Sequence, residues 1–259
     1  MTENRLSGVV QHLDELLGTS GIPDYPGAIN GLQFGNSGVV TKVAAAVDFS
    51  SRVVDSAVAA GCNLLLVHHG MFWSGPGPIV GEGFVRIRKL VEHDVAVYAS
   101  HLPLDLHPRL GNNALLAAEL GLVPSAGFAR FQTLSIGVRG EADVATDALA
   151  SKAAAFAQAH GGTLRTTPIP AGHRTRRWAM CTGSGASADT LREAAELGID
   201  TLIVGEGAHW TAVHAADTGL VILYAGHYAT ETLGVRALAQ HVSDEFSIPW
   251  TFLQHPTGL

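Results

Sequence analysis

Apolar positions along the chain fall into short runs separated by helical stripes. The run that orders the rest is Leu64-Leu65-Leu66-Val67, followed at once by His68-His69-Gly70-Met71-Phe72-Trp73. Four consecutive apolar residues predict a strand buried on both faces, as in a parallel sheet. A strand that ends in polar residues delivers them to the carboxyl edge of the sheet, where open α/β folds bind ligands. Neighbouring side chains on a strand point to opposite faces. Two imidazoles sharing one site therefore call for a bend, which Gly70 permits.

Upstream, Leu6, Val9, Val10, Leu13, Leu16 and Leu17 make a helical stripe over 5–17 that stops at Gly18. A Pro/Gly-rich loop ends in Asn30-Gly31-Leu32-Gln33-Phe34-Gly35. The pattern then predicts a strand at Val43–Val47, a helix at Arg52–Ala60, a loop over 74–83, a helix at Phe84–His93 and a strand at Val95–Ala99. That strand runs into His101-Leu102-Pro103-Leu104-Asp105, with Asp105 placed in a non-helical loop by Pro103. A helix at Asn112–Leu120 stops at Gly121. Strands alternating with helices at this spacing predict βαβ units and a mostly parallel sheet. Between 123 and 177 the pattern changes to a strand at Phe131–Val138, a helix at Val144–His160 and a strand at Thr163–Thr167. The alternation resumes with strands at Trp178–Cys181, Thr201–Val204 and Val221–Ala225. Helices are predicted at Ala188–Leu197 and from Thr230 to Phe246, and a closing edge strand at Trp250–Leu253. Gly183-Ser184-Gly185, before a helix, reads as a cap, with a phosphate turn as the alternative.

The second half repeats the first. Residues 59–73 lie over 196–210 at a constant offset of 137, pairing Gly61 with Gly198, Val67 with Val204, Gly70 with Gly207 and Trp73 with Trp210. Tyr98-Ala99-Ser100-His101 lies over Tyr224-Ala225-Gly226-His227, and Asp105 falls on Glu231. The expected fold is α/β, with two similar lobes of mostly parallel sheet, 1–125 and 126–259, related by a pseudo-twofold axis. The C-terminal segment is free to return to the first lobe. Such lobes would turn His68, His69, His101, Asp105, Glu206, His227 and Glu231 toward one cleft. Imidazoles and carboxylates together suit borderline divalent metals, and this set is enough for two ions. His227 and Glu231, at i and i+4, share a helix face if Gly226 opens that helix. Taken singly, each residue has a plain structural reading, as a cap, a core histidine or an N-terminal helix acid. Their equivalent places in a repeated pattern favour the metal site.

Composition narrows the classes. A net charge of −7 without a basic stripe argues against nucleic acid or an anionic membrane as partner. No apolar run reaches the ~20 residues of a bilayer span. The polar N-terminus is not read as a secretory signal, and Cys62 and Cys181 read as buried thiols. A cytoplasmic location is expected. Thirteen histidines against 16 lysines and arginines fit a metal protein.

These motifs resemble the Nif-three-like family of dinuclear-metal hexameric proteins, also known as GTP cyclohydrolase 1 type 2 homologues. The resemblance rests on Asn30-Gly31-Leu32-Gln33-Phe34-Gly35, Val67-His68-His69-Gly70-Met71-Phe72-Trp73, His101-Leu102-Pro103-Leu104-Asp105 with Gly111-Asn112-Asn113-Ala114, and Gly226-His227-Tyr228-Ala229-Thr230-Glu231. It implies metal ligands at His68, His69, Asp105, His227 and Glu231, with His101 and Glu206 as pocket residues. It also implies two divalent ions per chain (Zn, Mn, Fe or Ni) and a homohexamer built as a trimer of dimers. The chemistry expected is metal-dependent hydrolysis of a small, cyclohydrolase-type or nucleotide-like substrate, with His101 moving the proton. A non-enzymatic metal carrier, sensor or ring-shaped scaffold is the alternative.

Overall fold

The computed structural model describes residues 4–259, which divide into two compact units. The first comprises the chain up to Leu104 together with Gly234–His255, and the second comprises Asp105–Leu233 with Pro256–Leu259.

In the first unit, α1 (Leu6–Leu17) precedes β1 (Gly31–Phe34), β2 (Val43–Asp48), α2 (Ser51–Ala59), β3 (Leu64–His69), α3 (Gly81–Glu92) and β4 (Ala96–Ala99). The five-stranded sheet has the order β1-β4-β3-β2-β11, where β11 is Trp250–Phe252. All neighbours are parallel except β1, which runs antiparallel to β4. Every residue of β3 is buried, as the apolar run predicts for a central parallel strand. One face of the sheet presents Ala44, Ala46, Leu65, Val67 and Val97 to Val53, Val54 and Leu90 of α2 and α3. On the other face, Tyr98 donates its hydroxyl to Asp14 of α1 at 2.8 Å.

The second unit begins as α4 (Leu102–Asp105) ends. Then come α5 (Asn112–Leu120), β5 (Ala126–Phe131), β6 (Leu134–Ala145), α6 (Thr146–Ala159), β7 (Arg165–Thr166), β8 (Arg174–Cys181), α7 (Ala188–Glu196), β9 (Thr201–Val204), α8 (His209–Thr218), β10 (Val221–Tyr224) and α9 (His227–Thr230). After α9, α10 (Thr232–Phe246) carries the chain back to the first unit. The sheet order is β5-β6-β8-β9-β10-β7, with β8-β9-β10 parallel. Alternate residues of β8 serve opposite cores. Trp178 and Met180 meet Leu116, Leu149 and Phe156, while Ala179 and Cys181 meet Leu191 and Ala194.

The repeat is visible in detail. The run β2-α2-β3-α3-β4 corresponds to β8-α7-β9-α8-β10, and each three-stranded core is parallel. Ser50 caps α2 by accepting from Val53 N, and Ser187, its counterpart at the same offset, caps α7 by accepting from Thr190 N.

Several local expectations change. The single strand expected at 131–138 is a hairpin of β5 and β6, turning at Gln132 with φ 53°. That turn lacks the Asn-Gly or Gly-Gly signal that would mark it in sequence. The Gly31–Phe34 segment, read as loop, is the edge strand β1. Asp105 ends a one-turn helix rather than lying in a loop. Pro103 sits in its first turn, where the missing N–H has no intrahelical partner to lose.

Candidate metal centre

The parallel ladder brings the polar groups of the first unit together. Asp48 pairs with His69 in the β2–β3 register, and Val67 with Ala99 in the β3–β4 register, so Ser100 comes to lie beside His68. His69 Nδ1 meets Asp48 Oδ1 at 2.8 Å, and His68 Nδ1 meets the Ser100 carbonyl at 2.9 Å. His101 Nδ1 meets Asp24 Oδ1, also at 2.8 Å. The three rings converge, with centroids 4.8 Å apart for His68–His69, 4.8 Å for His68–His101 and 5.7 Å for His69–His101. Their metal-binding nitrogens lie within 4.8 Å of one another, and all three residues are buried. The strand itself delivers both adjacent imidazoles, and Gly70 has another role than a bend. A Cβ there would collide with the Gln33 amide and the Ala99 methyl.

The Asn30–Gln33 motif is the bracket of this site. Gln33 accepts from Met71 N at 2.6 Å and donates to the carbonyls of Ala28 and Ile29. It thereby ties the turn after the histidines to the loop that carries Asp24. Asn30 accepts from His101 N at 2.7 Å and donates to Asp24 Oδ2 at 2.8 Å. Burial works against the Asp24 carboxylate, but the hydrogen bond and charge of His101, with Asn30 and Leu102 N–H, outweigh it and hold its pKa below the ordinary value. Trp73 lies tilted against His69 and edge-on to His101, at 4.6 and 4.7 Å between centroids, and keeps 41% of its surface exposed.

The corresponding edge of the second unit is built from β8, β9 and β10. His227 opens α9 after Gly226, and its ring lies between two carboxylates. Nδ1 is 2.9 Å from Glu206 Oε1, and Nε2 is 3.1 Å from Glu231 Oε2. The i, i+4 spacing thus places His227 and Glu231 together as expected. Burial opposes charge on this imidazole, yet Glu231 and then Glu206 overcome it, and the pKa rises to about 9. Ser184 does not cap α7, whose cap is Ser187. The Ser184 hydroxyl instead donates to Glu206 at 3.0 Å. Gly183 is required by proximity, since a Cβ would strike the Glu231 carboxylate. Asp105 accepts from Asn112 Nδ2 at 2.8 Å, while Asn113 accepts from Thr182 N and donates to Ile136 O. The paired asparagines thus fix Asp105 and the end of β8. Burial, then the negative charge of Asp105 and Glu231, push the Cys181 thiol up to about 12. In the metal-free protein the thiol is held protonated.

The donor set fits a divalent cation. Each of four histidines turns Nδ1 toward a protein acceptor, three carboxylates and one backbone carbonyl. That outer arrangement fixes the tautomer of metal-binding imidazoles and leaves Nε2 to coordinate. Asp24 and Asp48 are part of it and are absent from the sequence-derived set. Asp48 carries a readable signal, because it ends the apolar run Val43–Val47 as His68 and His69 end theirs. Asp24 sits in an irregular loop and carries none.

Comparison with known proteins places the chain in a family. Residues 5–257 match the family model Duf34/NIF3 (NGG1p interacting factor 3). The chain is 40% identical over 258 residues to a Deinococcus radiodurans protein named GTP cyclohydrolase 1 type 2 homolog, covering 97% of this chain and 93% of that one. It superposes on the solved structure of the protein ybgI, described as of unknown function, with a TM-score of 0.87 and 34% identity, covering 98% and 100%. Protein TTHA1606 from Thermus thermophilus gives 0.83 and 33% with the same coverage. Among the described residues no helix is long and apolar enough to cross a membrane. With a family model matching nearly its whole length and relatives this similar, the chain belongs to the Duf34/NIF3 family.

Proposed function

We propose that this protein is a metal-dependent hydrolase that holds two divalent cations through His68, His69, Asp105, His227 and Glu231. The observation that carries the reading is the outer bonding of the imidazoles, with the Nδ1 of His68, His69 and His227 each engaged by Ser100 O, Asp48 or Glu206. The metal-free state of His227 supports it too. A proton held at a pKa of about 9 next to Glu231 marks a place where positive charge is stabilised, and a cation there competes with that proton. Bound cations supply Lewis acidity, which polarises the substrate and lowers the pKa of water. The chain's own part is to orient and to move protons. Asp48 and Glu206 orient imidazoles, the bracket of Asn30 and Gln33 fixes the loop beside them, and His101 takes the proton of the attacking water.

The substrate class proposed is small, with a ring amidine or nucleotide-like group as the first choice. The name of the Deinococcus radiodurans relative points the same way. Assembly as a homohexamer belongs to the same proposal. Ile79, Val80, Phe84 and Val91 on and before α3 are all more than half exposed, an apolar patch that suits contact with a further copy.

The test is to count metals in protein purified without chelator, then strip and reload Zn, Mn or Fe and screen cyclic amidines, nucleotides, phosphodiesters and amides. Two divalent ions per chain and metal-dependent hydrolysis, lost in His101→Ala with metal retained, are expected. Metal without turnover on any of these substrates would overturn the hydrolase reading in favour of a carrier.

A further inference from the structure

We propose that Asp24 is a positioning residue for proton transfer, which sets the tautomer of His101 so that Nε2 presents a lone pair. The inference deepens the hydrolase reading and rests on its assignment of His101 as proton carrier. Asp24 is unlike the supports of the other imidazoles. Its side chain is only 6% exposed, against 39% for Asp48. Both its oxygens are fully engaged. Oδ1 lies 2.8 Å from His101 Nδ1 and accepts from Tyr25 N at 2.7 Å. Oδ2 accepts from Asn30 Nδ2 at 2.8 Å and from Leu102 N at 2.9 Å. The neighbouring Asn30 also holds the His101 main chain, through N–H to Oδ1 at 2.7 Å. Ring and backbone of His101 are thus fixed by one rigid pair, and Tyr25 and Trp73 flank the ring at 5.8 and 4.7 Å.

With Tyr25 N, Asn30 Nδ2 and Leu102 N already donating to it, the carboxylate is an acceptor with no hydrogen to give, so the proton between Asp24 and His101 sits on Nδ1. The carboxylate behind Nδ1–H holds the ring in one tautomer and one orientation, with Nε2 free of a proton. In the hydrolytic step an O–H bond of water breaks as its oxygen bonds to the substrate. The proton goes to His101 Nε2 and passes from there to the departing atom, so His101 ends the cycle as it began. Asp24 touches neither water nor substrate.

Substitution by Asn discriminates. An amide places an NH2 group on one side of the site, where it meets either the two donors on Oδ2 or the two on Oδ1. The second orientation is the one expected, because only Tyr25 N then remains an opposed donor, against both Asn30 Nδ2 and Leu102 N in the first. The amide then donates to His101 Nδ1 and moves the ring proton to Nε2. The measurement is the long-range 1H–15N correlation spectrum of the full chain loaded with Zn, with the His101 signals assigned by their absence in His101→Gln. Wild type is expected to show His101 protonated at Nδ1 and bare at Nε2. Asp24→Asn should show the Nε2–H form, with Zn content unchanged, and Asp24→Glu should restore the Nδ1–H form. Where hydrolysis is found, Asp24→Asn should lower kcat about 100-fold with KM within about twofold.

A His101 tautomer indifferent to Asp24→Asn in a folded protein overturns the proposal, whatever the turnover. Loss of a Zn in Asp24→Asn and in His101→Ala alike also overturns it, because it makes His101 a ligand. If Asp24→Asn fails to fold, wild type and Asp24→Glu still decide, since an Nε2–H tautomer in either refutes it. A tautomer set by Asp24 in a protein that hydrolyses nothing overturns the hydrolase reading and leaves the positioning intact.

Discussion

At the carboxyl edge of β2-β3-β4, three imidazoles converge and two carboxylates stand behind them. At the corresponding edge of β8-β9-β10, one imidazole lies between two carboxylates. The scaffolds are alike down to the serine caps of α2 and α7, yet the cargo differs. The first edge offers three ring nitrogens whose outer partners are two carboxylates and a backbone carbonyl. The second offers carboxylates directly, and its histidine is protonated when no metal is present. A repeated βαβαβ unit therefore fixes where polar groups emerge, while the residues just beyond each strand decide their chemistry. The first edge is also braced more heavily, by the Asn30–Gln33 bracket, for which the second edge uses Gly183, Ser184 and Thr230.

The most disruptive way to break the comparison is Gly183→Ala. The added methyl displaces the Glu231 carboxylate, and overpacking of this kind costs about 1–3 kcal/mol. Denaturant unfolding should show that loss, and metal titration should show weakened uptake. Ser184→Ala, which only removes an exposed hydroxyl and its bond to Glu206, should cost less.

Asp48→Asn and Glu206→Gln remove the charged outer partner from one histidine on each edge. Each should lower metal affinity about 10- to 100-fold without unfolding the protein, as read by competition with a chelating dye. Equal losses in the two variants would show that the edges contribute alike.

A gentler probe is pH. The His227 pKa is raised in the folded, metal-free protein to about 9, from an ordinary value near 6.5. Its contribution to stability is therefore complete below pH 6.5 and is lost as pH rises toward 9. Thermal unfolding of metal-free protein should show Tm falling across that window, and His227→Gln should remove this part of the slope.

The smallest effect sharpens the likeness rather than the difference. Ser50→Ala and Ser187→Ala each delete one cap and should each cost about 1 kcal/mol. A marked inequality would mean that the repeated helices are not supported alike.

Much of this was legible in the chain because parallel sheets write themselves as apolar runs. Leu64–Val67, Thr201–Val204 and Val221–Tyr224 could be read as strands, and the polar residues after them as strand-end groups. The repeat was legible because Gly61, Val67 and Trp73 recur at a fixed offset. What escaped had weaker physical marks. Helix α8, His209–Thr218, buries only Thr211 and Ala215, so its apolar periodicity is too faint to announce it. The β5–β6 hairpin turns on a left-handed Gln132 instead of a glycine. Asp24 acts on a histidine 77 residues away from inside a loop, and no local pattern encodes such a bond.

The central claim is that donors from both repeats serve bound cations, and metal content tests it most directly. Elemental analysis of chelator-free protein should give two divalent ions per chain, with at least one lost in His68→Ala and at least one lost in Glu231→Gln. Folded protein that binds no divalent ion, or variants that keep the full wild-type complement, would contradict it.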